Sequence, residues 1–450
     1  MENNTVNQEN AINLLCTRQY AKLKELLEGL NPADIATLFE DLKANEIILL
    51  FRLLPKDLAA ETFVEMEPEH QQALIDDFND SELKEVVDEL YIDDAVDLIE
   101  EMPANVVKRI LRSADPATRR TINTLLKYPD DSAGSIMTTE FVQLKKHMTV
   151  NDAIKRIRRT GVDKETIYTC YVTEDNGKLI GLVSVKTLLL ADENDIIGDI
   201  METNVIYVNT LDDQEDVAND FDKYHFMALP VVDDERRLVG IVTFDDAIDV
   251  LQDEATEDIE KMAAIVPTDK PYMRTGVFET FKKRIPWLLL LMVSATFTGI
   301  IITNYENKLA SVMVLTAFIP MLMDTAGNSG SQSSVTVIRS LSLNEIEFSD
   351  IFKIIWKEMR VAVLCGLVLA AASCAKVMLI DRVSFAVALV VSVTLLITVF
   401  VAKLVGCTLP LAAKKIGFDP AVMASPFITT IVDALSLLVY FNVATIILHI

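Results

Sequence analysis

Long apolar runs fill the chain after residue 286, and they constrain its fold more than any other feature. A helix needs about 20 mostly apolar residues to cross the hydrocarbon core of a bilayer, which is about 30 Å thick. Such runs predict five membrane spans, near residues 287–304, 310–338, 361–380, 384–411 and 421–448. Polar or helix-breaking residues interrupt the second, fourth and fifth runs. The chain is therefore expected to be a multi-pass membrane protein.

Basic residues beside the spans predict how the chain is oriented. Lys and Arg near span ends mark the cytoplasmic side of a membrane. One side of the predicted spans collects Lys282, Lys283, Arg284, Arg339, Lys353, Lys357, Arg360, Lys414 and Lys415. An odd number of spans then places the two ends of the chain on opposite sides of the cell (inner) membrane. The N-terminal part is expected in the cytoplasm and the C-terminus outside.

The residues before the spans are strongly acidic. The chain has 41 basic and 67 acidic residues, of which ten basic and nine acidic residues follow residue 286. The remaining 31 basic and 58 acidic residues would repel a nucleic acid, so a nucleic-acid partner is excluded. The five cysteines form no CxxC pair, which argues against a disulfide framework or zinc site. The first ten residues show no signal peptide.

Two stretches of the acidic part, about 136–199 and 200–260, repeat each other. Each is predicted to run strand, helix, two apolar strands around a turn, and helix. The matching segments are Ile136-Met137 with Ile200-Met201, and Lys178-Leu-Ile-Gly181-Leu-Val-Ser184 with Arg237-Leu-Val-Gly240-Ile-Val-Thr243. This tandem α/β pair, residues 131–260, resembles paired CBS domains, a regulatory module of enzymes, channels and transporters.

The other parts of the chain are predicted to be helical. Residues 1–130 show helical periodicity with a weak repeat, which favours an acidic α-solenoid. Residues 252–281 are expected to form a connecting helix, and residues 282–450 a membrane domain of five helices. The fold class is therefore multidomain: an α-solenoid, an α/β tandem CBS pair and an all-α membrane domain.

Two acidic residues lie inside predicted spans. An ionisable group in a span is costly, so Asp433 and Asp324 are functional candidates. Near Asp433, a proline and the hydroxyls of Ser425, Thr429 and Thr430 supply further oxygens, which suits a hydrated magnesium ion. The alternative is an Asp at the membrane end bonded to a neighbouring hydroxyl. The glycines after Asp324 favour a pore wall, with small-residue helix packing as the alternative.

Several motifs in order resemble the MgtE family of magnesium channels and transporters, over nearly the whole chain. The domain order is also that of the family. The motifs are Tyr128-Pro-Asp-Asp-Ser132-Ala133-Gly134, Glu254-Ala-Thr-Glu257-Asp258-Ile259, Pro320 with Gly327-Asn328-x-Gly330-x-Gln332, Asp419-Pro420-Ala421, and Asp433.

The resemblance implies a homodimer in a lipid bilayer, with an ion path between the subunits and Asp433 binding hydrated Mg²⁺. The candidate pore residues are Asp433, Ser425, Thr429, Asn328 and Asp324. The acidic cytoplasmic part would sense Mg²⁺ and close the channel, because bridging cations favour its compact form. By resemblance, the sensing residues are Asp93, Asp97, Glu215, Asp246, Glu254, Glu257, Asp258 and Asp419.

CBS pairs commonly hold adenine nucleotides through a Thr/Ser-x-x-Asp step. Gly240, Thr243 and Asp246 fit this step, so ATP or another adenine nucleotide is a candidate ligand, whereas Thr187 replaces the acid after Ser184. No arrangement of catalytic residues is found, so the chain is not expected to be an enzyme. Three alternatives stay open: transport of Co²⁺, Ni²⁺, Mn²⁺ or Zn²⁺, a CBS-bearing anion channel, and a membrane sensor that transports nothing.

Overall fold

The structure is a computed structural model. It describes residues 10–15, 17–40, 42–268, 272, 275–305, 312–423 and 425–449, without the side chains of residues 163 and 425. The chain divides into two compact units, Met1–Leu251 and Gln252–Ile450.

The first unit begins with short helices whose apolar faces stack. Most of these helices contact a second neighbour along the chain, which is the packing of a helical solenoid. Asn79 and Asp115 cap two of the helices with side-chain oxygens, which fixes where those helices begin. The helices are α1 Tyr20–Leu27, α2 Pro32–Glu40, α3 Ala44–Phe51, α4 Lys56–Val64, α5 Pro68–Asp77, α6 Asp80–Val87, α7 Ile92–Glu101, α8 Ala104–Ser113 and α9 Pro116–Leu125.

The repeat in the first unit folds as two copies of one α/β motif, as predicted. In each copy the first strand is parallel to the second, and the second is antiparallel to the third. Copy one contains β1 Phe141–Lys145, α10 Val150–Thr160, β2 Thr166–Thr173, β3 Leu179–Ser184 and α11 Val185–Leu190. After α12 Ile197–Ile200, copy two contains β4 Val208–Asn209, α13 Gln214–Tyr224, β5 Ala228–Val232, β6 Leu238–Thr243 and the start of α14 Phe244–Met262.

The repeated glycines lie where the first residues of one copy pack against the last strand of the other. A Cβ on Gly240 would lie 2.5 Å from the sulfur of Met137, and one on Gly181 would lie 2.6 Å from the sulfur of Met201. Each methionine belongs to the first residues of the other copy, so the first residues of each copy pack on the last strand of its neighbour. Only glycine leaves room for this approach.

The second unit contains long helices. After the end of α14 come α15 Val277–Asn304, α16 Ile319–Ser342, α17 Ile351–Leu379, α18 Phe385–Lys415 and α19 Ser425–Leu448. Four stretches of the described residues are long and apolar enough to cross a membrane: Val277–Asn304, Phe348–Leu379, Phe385–Lys415 and Ala421–Leu448. The helix α16 has the length of a span but carries many small and polar residues.

Two predicted helices have different bounds in the structure. The second span was expected from residue 310, but α16 begins at Ile319, after a 3₁₀ helix at Met313–Phe318; Pro320 suits the first turn of a helix. Residues 310 and 311 lie outside the described residues.

The connecting helix was expected to run to residue 281, but α14 ends at Met262. Ala264 has a left-handed φ of 56°, and Pro267 disfavours helix in the residue before it, so the helix cannot continue. The segment after α14 is held instead by Lys283, whose ammonium donates to the carbonyl of Pro267 at 2.6 Å.

Small residues let α16 and α18 touch through their backbones. A Cβ on Gly406 of α18 would overlap the carbonyl oxygen of Gly330 on α16. A Cβ on Gly330 would lie 2.9 Å from Ile428 of α19 and 3.2 Å from the carbonyl oxygen of Ala402. The middle of α16 is therefore packed closely against both α18 and α19, as small residues allow in membrane proteins.

Candidate ion path and cation-sensing clusters

The predicted pore residues meet where α16 contacts α19. A Cβ on Gly327 would lie 3.1 Å from Cγ2 of Thr429 and 3.7 Å from Oδ1 of Asp433. Asp324 and Asn328 lie one turn apart on α16 and are exposed, whereas Asp433 is half-buried. The charge of Asp324 acts on Asp433, so two carboxylates from different helices share one region. The structure thus brings together Asp324, Thr429 and Asp433, and Asn328 lies one turn after Asp324 on α16.

Hydroxyl groups extend this oxygen-rich region along α19. Thr429 and Thr430 both donate their hydroxyl hydrogens to the carbonyl of Pro426, at 2.9 and 3.0 Å. Each hydroxyl oxygen keeps lone pairs that can accept from water. The side chain of Ser425 lies outside the described residues. Carboxylate, amide and hydroxyl oxygens around retained water are the surroundings that Mg²⁺ prefers.

A second polar group in this unit was missed by the sequence analysis, which considered only acids inside the spans. Lys403 lies in the middle of α18 and is 4 % exposed. Its ammonium lies 3.6 Å from Oε2 of Glu358 on α17 and donates to the hydroxyl of Ser333 on α16 at 3.1 Å. The sequence signal was available, because Lys403 is the one charged residue between positions 385 and 413.

The first unit gathers seven carboxylates around the start of α7. Oxygens of Asp93, Glu140 and Glu165 all lie within 4.8 Å of one another. The charges of Asp94, Asp245 and Asp246 act on Glu165, and the charges of Asp93 and Asp246 act on Asp97. We call these seven carboxylates the cytosolic cluster; its members are Asp93, Asp94, Asp97, Glu140, Glu165, Asp245 and Asp246.

Burial and mutual repulsion change the acidity of the cytosolic cluster. Burial raises the pKa of Asp93 to about 6, and the Glu140 carboxylate adds to the rise. Burial and the Asp93 charge raise the pKa of Asp246 to about 7 and the pKa of Asp94 and of Glu165 to about 8. The charged form of the cluster is therefore costly, and a bound cation would relieve the cost.

Two oxygens of the cytosolic cluster are open to a ligand. Asp93 is 8 % exposed, and its Oδ1 is buried without a hydrogen-bond partner among the described residues. Oε2 of Glu165 is likewise buried without a hydrogen-bond partner among the described residues. Glu140 accepts a hydrogen bond from the backbone N–H of Ile92 at 3.1 Å, which fixes its carboxylate beside α7. Buried acceptors that lie close together can bind a donor or a cation.

The second unit holds another group of predicted sensing residues around Lys261. The Lys261 ammonium lies 2.5 Å from Glu257 and 2.6 Å from Asp419, while Asp258 accepts a hydrogen bond from Ser342 at 2.8 Å. Burial opposes the charge of Lys261, but the hydrogen bonds to Asp419 and Glu257 outweigh it and raise its pKa. A resident ammonium thus already bridges two of these carboxylates.

The structure divides the predicted sensing residues between the two units. Asp93, Asp97 and Asp246 lie in the cytosolic cluster, and Glu257, Asp258 and Asp419 lie around Lys261. Glu254 lies one turn before Asp258 on α14, and Glu215 lies in the first turn of α13. Sequence analysis missed Asp94, which follows Asp93 on α7. It also missed Glu140, Glu165 and Asp245, because no periodic signal in the sequence shows that the chain brings them to α7.

Comparison with known proteins decides the family. The chain is 37 % identical to the magnesium transporter MgtE of Thermus thermophilus over 435 residues, which cover 95 % of both chains. It is 33 % identical to the magnesium transporter MgtE of Bacillus subtilis over 427 residues, covering 95 % of this chain and 94 % of that one. The chain belongs to the MgtE family.

Family models match the parts of this MgtE chain in the predicted order. The model described as an MgtE intracellular N domain matches residues 30–131, CBS domain models match residues 133–194 and 197–253, and the model described as a divalent cation transporter matches residues 319–443. The chain is thus a multi-pass membrane protein with an intracellular N domain. Because the MgtE relatives are transporters, the expectation that the chain is not an enzyme is confirmed.

Solved structures resemble the cytosolic part of the MgtE chain. A crystal structure of the cytosolic domain of the Mg²⁺ channel MgtE in complex with ATP is 38 % identical, with a TM-score of 0.51, and covers 53 % of this chain and 99 % of that one. The soluble part of a magnesium transporter is 32 % identical, with a TM-score of 0.53, and covers 56 % of this chain and 99 % of that one.

The residues expected to hold a nucleotide have other contacts in this MgtE chain. The Thr243 hydroxyl donates to Oδ2 of Asp246 at 2.5 Å, and Asp246 belongs to the cytosolic cluster. Gly240 is required by the approach of Met137 described above. In the first copy, the hydroxyls of Ser184 and Thr187 lie 2.9 Å apart and carry no charge.

Proposed function

We propose that this MgtE chain conducts Mg²⁺ across the cell membrane along a path that passes Asp433. The observation that carries the proposal is the meeting of Asp433 and Asp324 on adjoining helices, with Thr429 beside Asp433 and Asn328 one turn after Asp324 on α16. Two carboxylates attract a divalent cation, and neutral oxygens can hydrogen-bond its retained water shell. The relatives named as magnesium transporters support the same cargo.

Flux through the purified full chain tests this proposal. Proteoliposomes loaded with a Mg²⁺-sensitive dye should show uptake that depends on the chain. Competition by Co²⁺, Ni²⁺, Mn²⁺ and Zn²⁺ decides among the divalent cargoes, because a path for hydrated ions discriminates by size and hydration. If the chain takes up none of these ions, the result would favour a membrane sensor that transports nothing. Passage of chloride would favour an anion channel.

Cytosolic Mg²⁺ is proposed to close the path by binding to the cytosolic cluster and to the carboxylates around Lys261. The cytosolic cluster offers buried oxygens with open acceptor positions, and its carboxylates repel one another when no cation is present. Binding to a state in which they converge would shift the equilibrium toward that state. Glu215 and Glu254 belong to the proposed set by resemblance to the family.

Limited proteolysis tests the gating half of the proposal independently of flux. Residues 1–280 of the full chain should become more resistant to protease as Mg²⁺ is raised to millimolar levels. Unchanged cleavage over that range would remove Mg²⁺ gating while leaving Mg²⁺ transport in place.

The proposal further includes a homodimer, with the C-terminus outside the cell. The exposure of Asp324 and Asn328 in one chain supports an ion path that a second copy completes. Ser425 is kept in the proposed pore set. Cross-linking in membranes tests the dimer, and labelling of a C-terminal cysteine from outside intact cells tests the orientation.

An adenine nucleotide is proposed as a ligand of the CBS pair, on the strength of the relative crystallised with ATP. The Ser184 and Thr187 position is favoured over Thr243 and Asp246, because the cytosolic cluster around Asp246 repels a phosphate chain. Equilibrium dialysis with labelled ATP tests the ligand. The variant Thr187→Asp, which restores the acid expected on a ribose, should bind more tightly than the parent.

A further inference from the structure

Three polar side chains from three helices meet inside the membrane unit. The Ser333 hydroxyl of α16 donates to Oε2 of Glu358 at 2.6 Å. The Lys403 ammonium of α18 donates to Oγ of Ser333 at 3.1 Å and lies 3.6 Å from the same Glu358 oxygen. Ser333 and Lys403 are buried, and the side chain of Glu358 is 13 % exposed. We call Ser333, Glu358 and Lys403 the buried triad.

Stability alone is a weak reason to keep such a group in a membrane. Burying a lysine and a glutamate costs hydration, and apolar residues of similar size often stabilise a site as well or better. A buried pair instead restricts how its helices can be placed, because its hydrogen bonds form only at short range and in a defined geometry. The buried triad therefore fixes how α16, α17 and α18 are placed relative to one another.

The helix α16 links the buried triad to the proposed ion path. Ser333 follows Gly330 by one turn, and Gly330 follows Gly327 by another. Gly330 lies against the backbone of α18, and Gly327 faces Thr429 and Asp433. Glycine surfaces permit close approach but do not resist sliding or rotation. A shift of α16 by one residue would turn it by about 100° and move it by about 1.5 Å, which would carry Gly327 away from Asp433.

We propose that the buried triad sets the register of α16 and thereby the spacing between the α16 face that bears Gly327 and the Asp433 carboxylate. Ser333, Glu358 and Lys403 are then positioning residues for cation binding in the pore, although none of them touches the ion. This inference rests on the proposed function, in which Mg²⁺ passes Asp433.

A matched pair of alanine variants separates positioning from packing. Ser333 and Ser334 are adjacent on α16 and both buried, but Oγ of Ser334 has no hydrogen-bond partner among the described residues. Ser333→Ala removes α16 from the buried triad, and Ser334→Ala removes the same volume without a hydrogen bond. Uptake by proteoliposomes is measured over a range of external Mg²⁺, with the melting temperature of each purified full chain measured alongside.

We expect Ser333→Ala to raise the half-saturating Mg²⁺ concentration by about 10-fold, the effect of losing a hydrogen bond to a charged group. Ser334→Ala should change it by less than about 2-fold, as expected of a group without such a bond. Equal curves for Ser333→Ala and Ser334→Ala would overturn the inference. A shift with unchanged melting temperature would support positioning most directly.

A double variant keeps the inference testable if Ser333→Ala does not fold. Lys403→Met with Glu358→Gln removes both charges, so neither is left unpaired, and the fold should survive. We expect a stable protein whose half-saturating Mg²⁺ concentration is raised. Wild-type uptake from a stable double variant would overturn the inference. If the wild-type chain itself takes up no Mg²⁺, the proposed function fails, which is a different result.

Discussion

Replacing Asp93 by Asn perturbs the cytosolic cluster at its most buried member. Asp93 is 8 % exposed, its Oδ1 has no hydrogen-bond partner among the described residues, and oxygens of Glu140 and Glu165 lie within 4.8 Å. An asparagine has almost the same shape and no charge, and its amide can donate to a neighbouring carboxylate. In the absence of Mg²⁺, Asp93→Asn should therefore stabilise the cytosolic part.

The expected gain follows from the acidity of Asp93. Its pKa is raised from 3.8 to about 6, so between these two pH values the folded state holds a proton that the unfolded state has already lost. Below the unfolded pKa of 3.8 the carboxyl is protonated in both states and costs no stability. As pH rises from there through about 6, the folded state loses stability, because the buried carboxyl must ionise. At 1.36 kcal/mol per pKa unit, the ionised Asp93 costs about 2 to 3 kcal/mol above pH 7 and less than about 1 kcal/mol at pH 4.

Thermal unfolding of residues 1–262 measures this gain, since the corresponding parts of relatives have been crystallised alone. In EDTA at pH 7.5, Asp93→Asn should melt higher by about 5 °C or more, and the difference should shrink toward pH 4. Added Mg²⁺ should stabilise the parent more than the variant, because Asp93 is a proposed ligand. The control is Asp76→Asn, which alters an exposed aspartate of α5.

Two results would refute this reasoning. One is an Asp93→Asn variant that is no more stable than the parent in EDTA at pH 7.5. The other is a Mg²⁺-induced rise in melting temperature that is the same for parent and variant.

Three further predictions concern other parts of the chain. Gly406→Ala should cost about 1 to 3 kcal/mol of stability and most of the transport, because the added Cβ overlaps the α16 backbone. Gly299→Ala should be neutral in thermal shift and uptake, because no described residue lies within 4 Å of its added Cβ. Lys261→Met should tighten Mg²⁺ binding, because it removes the ammonium that bridges two carboxylates in the parent chain. Calorimetry of the full chain measures this, and weaker binding would contradict it. Mg²⁺ should bind the cytosolic part at least about 10-fold more tightly at pH 8 than at pH 6, because carboxyls such as Glu165, with a pKa raised to about 8, must lose protons first; equal affinities would refute it.

Periodicity in the sequence was enough to predict the architecture. The repeat at Gly181 and Gly240 predicted two copies of one α/β motif. The structure supplies the reason, since each glycine packs against a methionine from the first residues of the other copy. The end of the connecting helix was predicted wrongly. Helical periodicity continues past Met262, but a left-handed Ala264 and Pro267 end the helix there.

Charge partners were harder to predict than helices. Asp324 and Asp433 stand out in apolar runs and do lie near each other. Lys403 stands out equally, but its partners Glu358 and Ser333 come from two other helices, and no spacing in the sequence connects them. Glu165 was missed for the same reason, because its approach to Asp93 depends on how the CBS pair packs on the helical domain.

Mg²⁺ uptake by proteoliposomes that contain the full chain, compared with the Asp433→Asn variant, tests the central claim most directly. Asn keeps the size of the side chain and removes its charge, and the melting temperatures of the two proteins show whether both are folded. The account predicts that the folded variant takes up Mg²⁺ at least about 10-fold more slowly, because the cation loses a carboxylate in a low-dielectric path. Equal uptake by a folded Asp433→Asn variant would contradict the claim.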